Sequence, residues 1–285
     1  MSSAPLPHVA WIKHRAIDNP PISHGTYPLP VAVFWDRLIG AQPAPHWWVV
    51  AVSAAVALLV VASPRSWRLT RIAITIAHES GHAAASLLSG RKLEGIRLHR
   101  DTSGETVSRG KGRGPGIIVT AMAGYITPPL LGVGAAALLD AHRVNLLLSL
   151  FLVLLAATLV MVRNWYGALA VLVTGGGLFA VIWFANPALR AAFAYAAAWF
   201  LLFGGVRPVA ELARTRNRAL RLPAGRRLAT GRPRQGMSDA DQLAWLTRVP
   251  AGVWVTLFAL VAVGALVLGA RLLIPWTSIQ GLTGK

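Results

Sequence analysis

The chain has 285 residues, of which 55% are hydrophobic and only 13% charged. Soluble domains carry about 25% charged residues, so the composition excludes an ordinary soluble enzyme and points to an all-α polytopic membrane protein. The net charge of +18 does not argue for nucleic acid: the basic residues lie between apolar runs, where topology and anionic lipid account for them.

Taken in chain order, residues 1–45 are rich in proline and broken by charges, with no early apolar stretch of the kind a cleavable signal needs. They read as a cytosolic tail, with Val31 to Ile39 lying on the membrane surface. Seven apolar runs follow, at 46–63, 70–89, 116–139, 144–162, 166–184, 188–206 and 251–274. A helix needs about 20 residues to span a bilayer, so six to seven transmembrane helices are expected. The domain organisation is a tail (1–45), a first transmembrane helix (46–63), a central membrane region (64–250) with a cytosolic segment at 207–250, and a last helix with a short tail (251–285).

The second run carries His78-Glu79-Ser80-Gly81-His82. Residues four apart on a helix lie one above the other, so the two imidazoles can share one zinc ion. Glu79 is then placed to act as general base on a zinc-activated water. Ionisable groups in a spanning helix cost several kcal/mol unless partnered, which makes this helix the functional candidate.

Residues 91–113 read as a short hairpin reversing at Thr102-Ser103-Gly104. In the third run Pro128-Pro129 should kink or break the helix. Gly132, Gly134 and Gly175-Gly176-Gly177 permit close helix approach. Trp47, Trp48 and Trp67 fit interfacial anchoring. Asn164, after the fourth helix, reads either as a polar helper that binds substrate backbone or as a helix-end residue bonded locally. Segment 207–250 begins as a basic helix whose arginines face lipid headgroups, passes through Pro223 and Gly225, and resumes as a helix from Asp239 to Arg248.

Lys and Arg set the orientation. Placing 1–46, 90–115, Arg163 and 207–250 on one side collects 21 of the 28 basic residues there. That side is expected to face the cytosol of a bacterial plasma membrane, with the N-terminus.

A catalytic zinc takes three protein ligands and leaves one position open. The chain has no cysteine, so the third is a carboxylate from the cytosolic side: Glu94, Asp101, Glu105, Glu211, Asp239 or Asp241. Asp241 has another use, since Ser238 followed three residues later by an acid makes a capping box. Asp239 is favoured and Asp241 stays open.

Together, His78-Glu79-Ser80-Gly81-His82-Ala83, the hairpin at 91–108, Ala123-Gly124-Tyr125 opening a Pro-containing helix, Arg163-Asn164 and Ser238-Asp239-Ala240 resemble the site-2 protease family of intramembrane zinc metalloproteases, in its compact bacterial branch. The resemblance implies a zinc-dependent endopeptidase that cuts membrane-spanning protein substrates, commonly in signalling. It implies His78, His82 and Asp239 as ligands of one zinc ion and Glu79 as catalytic acid/base. The chain departs from the family's pattern in having no Asp-Gly.

Two other classes fit less well. A non-catalytic scaffold of this fold has no need of Glu79. A metal or proton transporter would spread ionisable groups over several helices and show internal repeats; here they concentrate in one helix and no repeat is visible.

Overall fold

The computed structural model describes residues 30–220 and 237–274. The tail before residue 30, the 221–236 part of the basic segment with Pro223, Gly225 and several arginines, and the end after residue 274 lie outside the described residues. Those that are described form nine helices and one two-stranded antiparallel sheet, the expected all-α class with its hairpin.

A short helix α1 (Pro30–Ile39) leads into α2 (Trp47–Ala62) and α3 (Pro64–Leu88). The hairpin follows as β1 (Lys92–Leu98) and β2 (Gly104–Arg109), then come α4 (Pro115–Asp140), α5 (Val144–Met161), α6 (Trp165–Phe184) and α7 (Pro187–Leu220). The short α8 (Asp239–Thr247) and α9 (Ala251–Leu273) complete the chain. Helices α4, α5, α6, α7 and α9 are long and apolar enough to cross a membrane.

The first two apolar runs do not make two independent spans. Helices α2 and α3 meet at Ser63 with a bend of 101°, the geometry of one broken span or a re-entrant pair. At 1.5 Å per residue the 16 residues of α2 reach only about 24 Å, short of a hydrocarbon core of about 30 Å. Pro64 occupies the first turn of α3, where its fixed φ and missing N–H favour helix initiation. Arg65, Arg68 and Arg71 therefore lie on the first turns of α3, where the apolar pattern suggested a loop.

The bundle has two distinct ends. Strand β1 and the α5–α6 junction meet at one, where Arg163 N donates to Ile96 O at 2.9 Å and Ile96 bridges Val162. Segment 36–46 lies at the other. Gln42 N donates to His142 O at 3.1 Å, Asn145 Nδ2 to Asp36 O at 3.0 Å, and Arg37 Nη1 to Trp183 O at 2.7 Å. The expectation that this segment shares a side with the hairpin is thereby corrected. Polar side chains of Asn145 and Gln42 find their partners there, and charge counting alone carries no such information.

Three smaller expectations also change. Trp67 is buried rather than interfacial, with the Arg207 guanidinium 4.8 Å above its ring. Gly176 and Gly177 meet no neighbouring helix, whereas Gly132 packs against Leu202 and Gly205 against Pro129. Helix α4 runs unbroken through Pro128 and Pro129; both are buried, so surrounding helices hold the turn that the prolines weaken.

Candidate metal centre

Helix α3 presents His78 and His82 on one face toward α4 and α8. Their Nε2 atoms stand 3.1 Å apart. Asp239 Oδ2 comes within 3.1 Å of His78 Nε2 and 3.3 Å of His82 Nε2. Three ligand atoms thus converge on one point, and within 4.8 Å of one another they can hold a metal ion. The donor set of two imidazoles and one carboxylate suits zinc with one position left open.

Each ligand is held from behind. His82 Nδ1 lies 2.7 Å from the Thr120 carbonyl, so Nδ1 carries the proton and Nε2 is free to ligate. His78 lies edge-on to Tyr125, centroids 4.9 Å apart, and Tyr125 stacks on Phe258 at 5.0 Å. Gly124 faces both imidazoles so closely that a Cβ there would overlap the two Nε2 atoms. Absence of a side chain at Gly124 is what lets α3 and α4 close around the site. Pro128 and Pro129 have no N–H to offer the carbonyls of Gly124 and Tyr125 in this same turn.

Asp239 opens α8 because Ser238 caps that helix. The Asp241 N–H donates to Ser238 Oγ at 3.3 Å, and Ser238 Oγ donates to Asp241 Oδ2 at 2.7 Å. Asp241 also pairs with Arg216 of α7 at 2.5 Å. The structure therefore brings Asp239 to the imidazoles and gives Asp241 to the cap. Under α8, Ala240 and Leu243 pack with Ala121, Val209, Val255 and Phe258, so one apolar cluster seats the third ligand.

Glu79, one residue on from His78, packs toward the hairpin and is only 4% exposed. Thr106 Oγ1 stands 2.6 Å from Glu79 Oε2 and 3.1 Å from the Glu79 main-chain oxygen. Gly104 lies against the carboxylate, where a Cβ would overlap it. The reversal itself occupies His99 to Ser103, with His99 N donating to Ser103 O at 2.8 Å and Thr102 at φ 67. Gly104 is thus the first residue of β2, required by Glu79 and not by the turn.

A family model described as peptidase M50B-like matches residues 51–269, more than half of the chain. The chain belongs to this family, the site-2 proteases. No curated protein and no solved structure matches significantly. The peptidase family and the apolar helices together make this a multi-pass membrane protein of a protease family.

Within the family site, Asn164 has a structural use. Its Nδ2 donates to Leu98 O at 2.7 Å and its Oδ1 accepts from Leu98 N at 3.1 Å. The amide thus acts as a short extra strand on β1. Thr106 and Thr120 carry no motif in the sequence: only β2 lying beside α3 shows that Thr106 meets Glu79, and only α4 packing on α3 brings the Thr120 carbonyl to His82.

Proposed function

We propose that the chain is an intramembrane zinc endopeptidase that hydrolyses peptide bonds of membrane-spanning protein substrates. The observation that carries this reading is the convergence of His78 Nε2, His82 Nε2 and Asp239 Oδ2 one residue away from a buried glutamate. His78, His82 and Asp239 would hold one zinc ion. When bound, zinc supplies Lewis-acid activation of water and of a peptide carbonyl.

The chain's own groups do the rest. Glu79 takes a proton from the attacking water and delivers one to the leaving amine. Thr120 keeps the His82 ring in the tautomer that ligates. Strand β2 has one edge paired with β1, and its other edge is suited to receive an unwound substrate segment by strand addition. A transmembrane helix must unwind before its peptide bonds are accessible, which makes such an edge useful beside the site.

Orientation follows from charge. Segments 90–115, Arg163 and 207–250 hold 18 of the 28 basic residues, so the hairpin end of the bundle faces the cytosol of a bacterial plasma membrane. Segment 36–46 then lies toward the outer face.

The test uses full-length protein purified in detergent and a labelled single-span peptide. One zinc per chain and cleavage by wild type, with Glu79→Gln retaining zinc but not cleaving, is the expected result. Zinc retained without cleavage in wild type would favour a scaffold. Absence of zinc from freshly purified wild type would remove the metallopeptidase reading.

A further inference from the structure

Glu79 is buried, so its carboxyl oxygens need hydrogen-bond partners from the protein, and an unmatched buried acceptor is costly. Strand β2 lies over this carboxylate, and the group nearest Oε2 is the Thr106 hydroxyl at 2.6 Å.

That hydroxyl has one proton and two lone pairs. It also has two acceptors in range, Oε2 at 2.6 Å and the Glu79 main-chain oxygen at 3.1 Å. Its single proton can serve only one of them at a time. The main-chain oxygen of a helical residue keeps a second lone pair after its helix bond, so it can accept from a hydroxyl without loss of the helix.

We propose that Thr106 is a positioning residue for Glu79: its hydroxyl, held between the Glu79 carboxyl and the Glu79 main-chain oxygen, fixes the direction in which that carboxyl faces the site.

Gly104 is part of the same arrangement, because any side chain there would displace the carboxylate from Thr106. The inference rests on the proposed role of Glu79 and adds a residue that sequence motifs do not mark.

The test compares Thr106→Val, which keeps shape and loses the hydroxyl, with Thr106→Ser, which keeps the hydroxyl. Both are full-length zinc-loaded proteins assayed on a labelled single-span peptide in vesicles. Loss of a hydrogen bond to an ionised group predicts a fall in kcat of about ten- to a hundredfold for Thr106→Val, with KM and zinc content unchanged. Thr106→Ser should stay within about threefold of wild type on the same reasoning. Equal kcat in wild type and Thr106→Val, or an equal loss in both variants, overturns the proposal. A second readout is independent of turnover: the infrared carboxyl band of Glu79, isolated by subtracting Glu79→Gln. It should shift in Thr106→Val and not in Thr106→Ser, and an unshifted band overturns the proposal even in protein that cleaves nothing. Failure of wild type to cleave, with the band shifted as expected, removes the peptidase reading and leaves the hydrogen bond standing.

Discussion

Arg216 of α7 holds Asp241 of α8 at 2.5 Å, two residues from the carboxylate that faces both imidazoles. Helix α7, 34 residues long, thereby anchors a helix of only nine residues whose first member is a candidate metal ligand. The pair ties together two elements that are separated in the chain by a segment outside the described residues.

Both partners of that pair are partly exposed, and solvent screening limits such pairs to at most about 1 kcal/mol. Arg216→Ala should therefore weaken zinc binding no more than about fivefold in competition with a chelator. Asp239→Ala should abolish stoichiometric zinc. Zinc content equal to wild type in Asp239→Ala would take this residue out of the ligand set.

Glu79→Gln preserves size and removes the base. Cleavage should drop by about a hundredfold or more, the range general acid–base groups supply. Zinc per chain should be unchanged, because His78, His82 and Asp239 are intact. Elemental analysis beside a cleavage assay reads both quantities from one preparation.

Gly124→Ala should separate stability from metal binding. Alanine is the better helix former by about 1 kcal/mol, yet its Cβ would occupy the space of both Nε2 atoms. We expect zinc affinity to fall at least about tenfold while the helical content measured by circular dichroism is retained. Undiminished zinc binding would show that α3 and α4 can separate without cost.

Asn164→Leu removes two hydrogen bonds to the Leu98 main chain. Loss of each uncharged bond costs about 1 kcal/mol, so amide exchange in β1 should accelerate by about tenfold or more. Zinc content should not change, as no ligand contacts Asn164. Unaltered exchange at Ile96 and Leu98 would refute this pairing.

Much of the site was legible in the chain because its parts are local. His78 and His82 share a face through the helical period alone, and Glu79 follows from adjacency. Asp239 could be favoured over Asp241 only by noticing that Ser238 uses Asp241 for its cap, and the hydrogen bonds of that cap are present. Apolar runs located α4, α5, α6, α7 and α9, since a continuous hydrophobic stretch has few alternatives to a spanning helix.

The remainder depends on which elements lie side by side. The 101° bend between α2 and α3 is invisible in hydropathy, because Pro64 starts a helix as readily as it ends one. Segment 36–46 joins the far end of the bundle through Asn145, Gln42 and Arg37, side chains whose partners lie about a hundred residues away or more. By itself the sequence determined the membrane class, the helix carrying His78-Glu79-Ser80-Gly81-His82 and the chemistry those residue types permit, since composition and helical period act within a few turns. Only tertiary structure decided that Asp239 meets the imidazoles, that Gly124 makes room for them and that Thr106 holds Glu79. Each of those contacts joins segments far apart in the chain, where helix packing and not local pattern sets the distance.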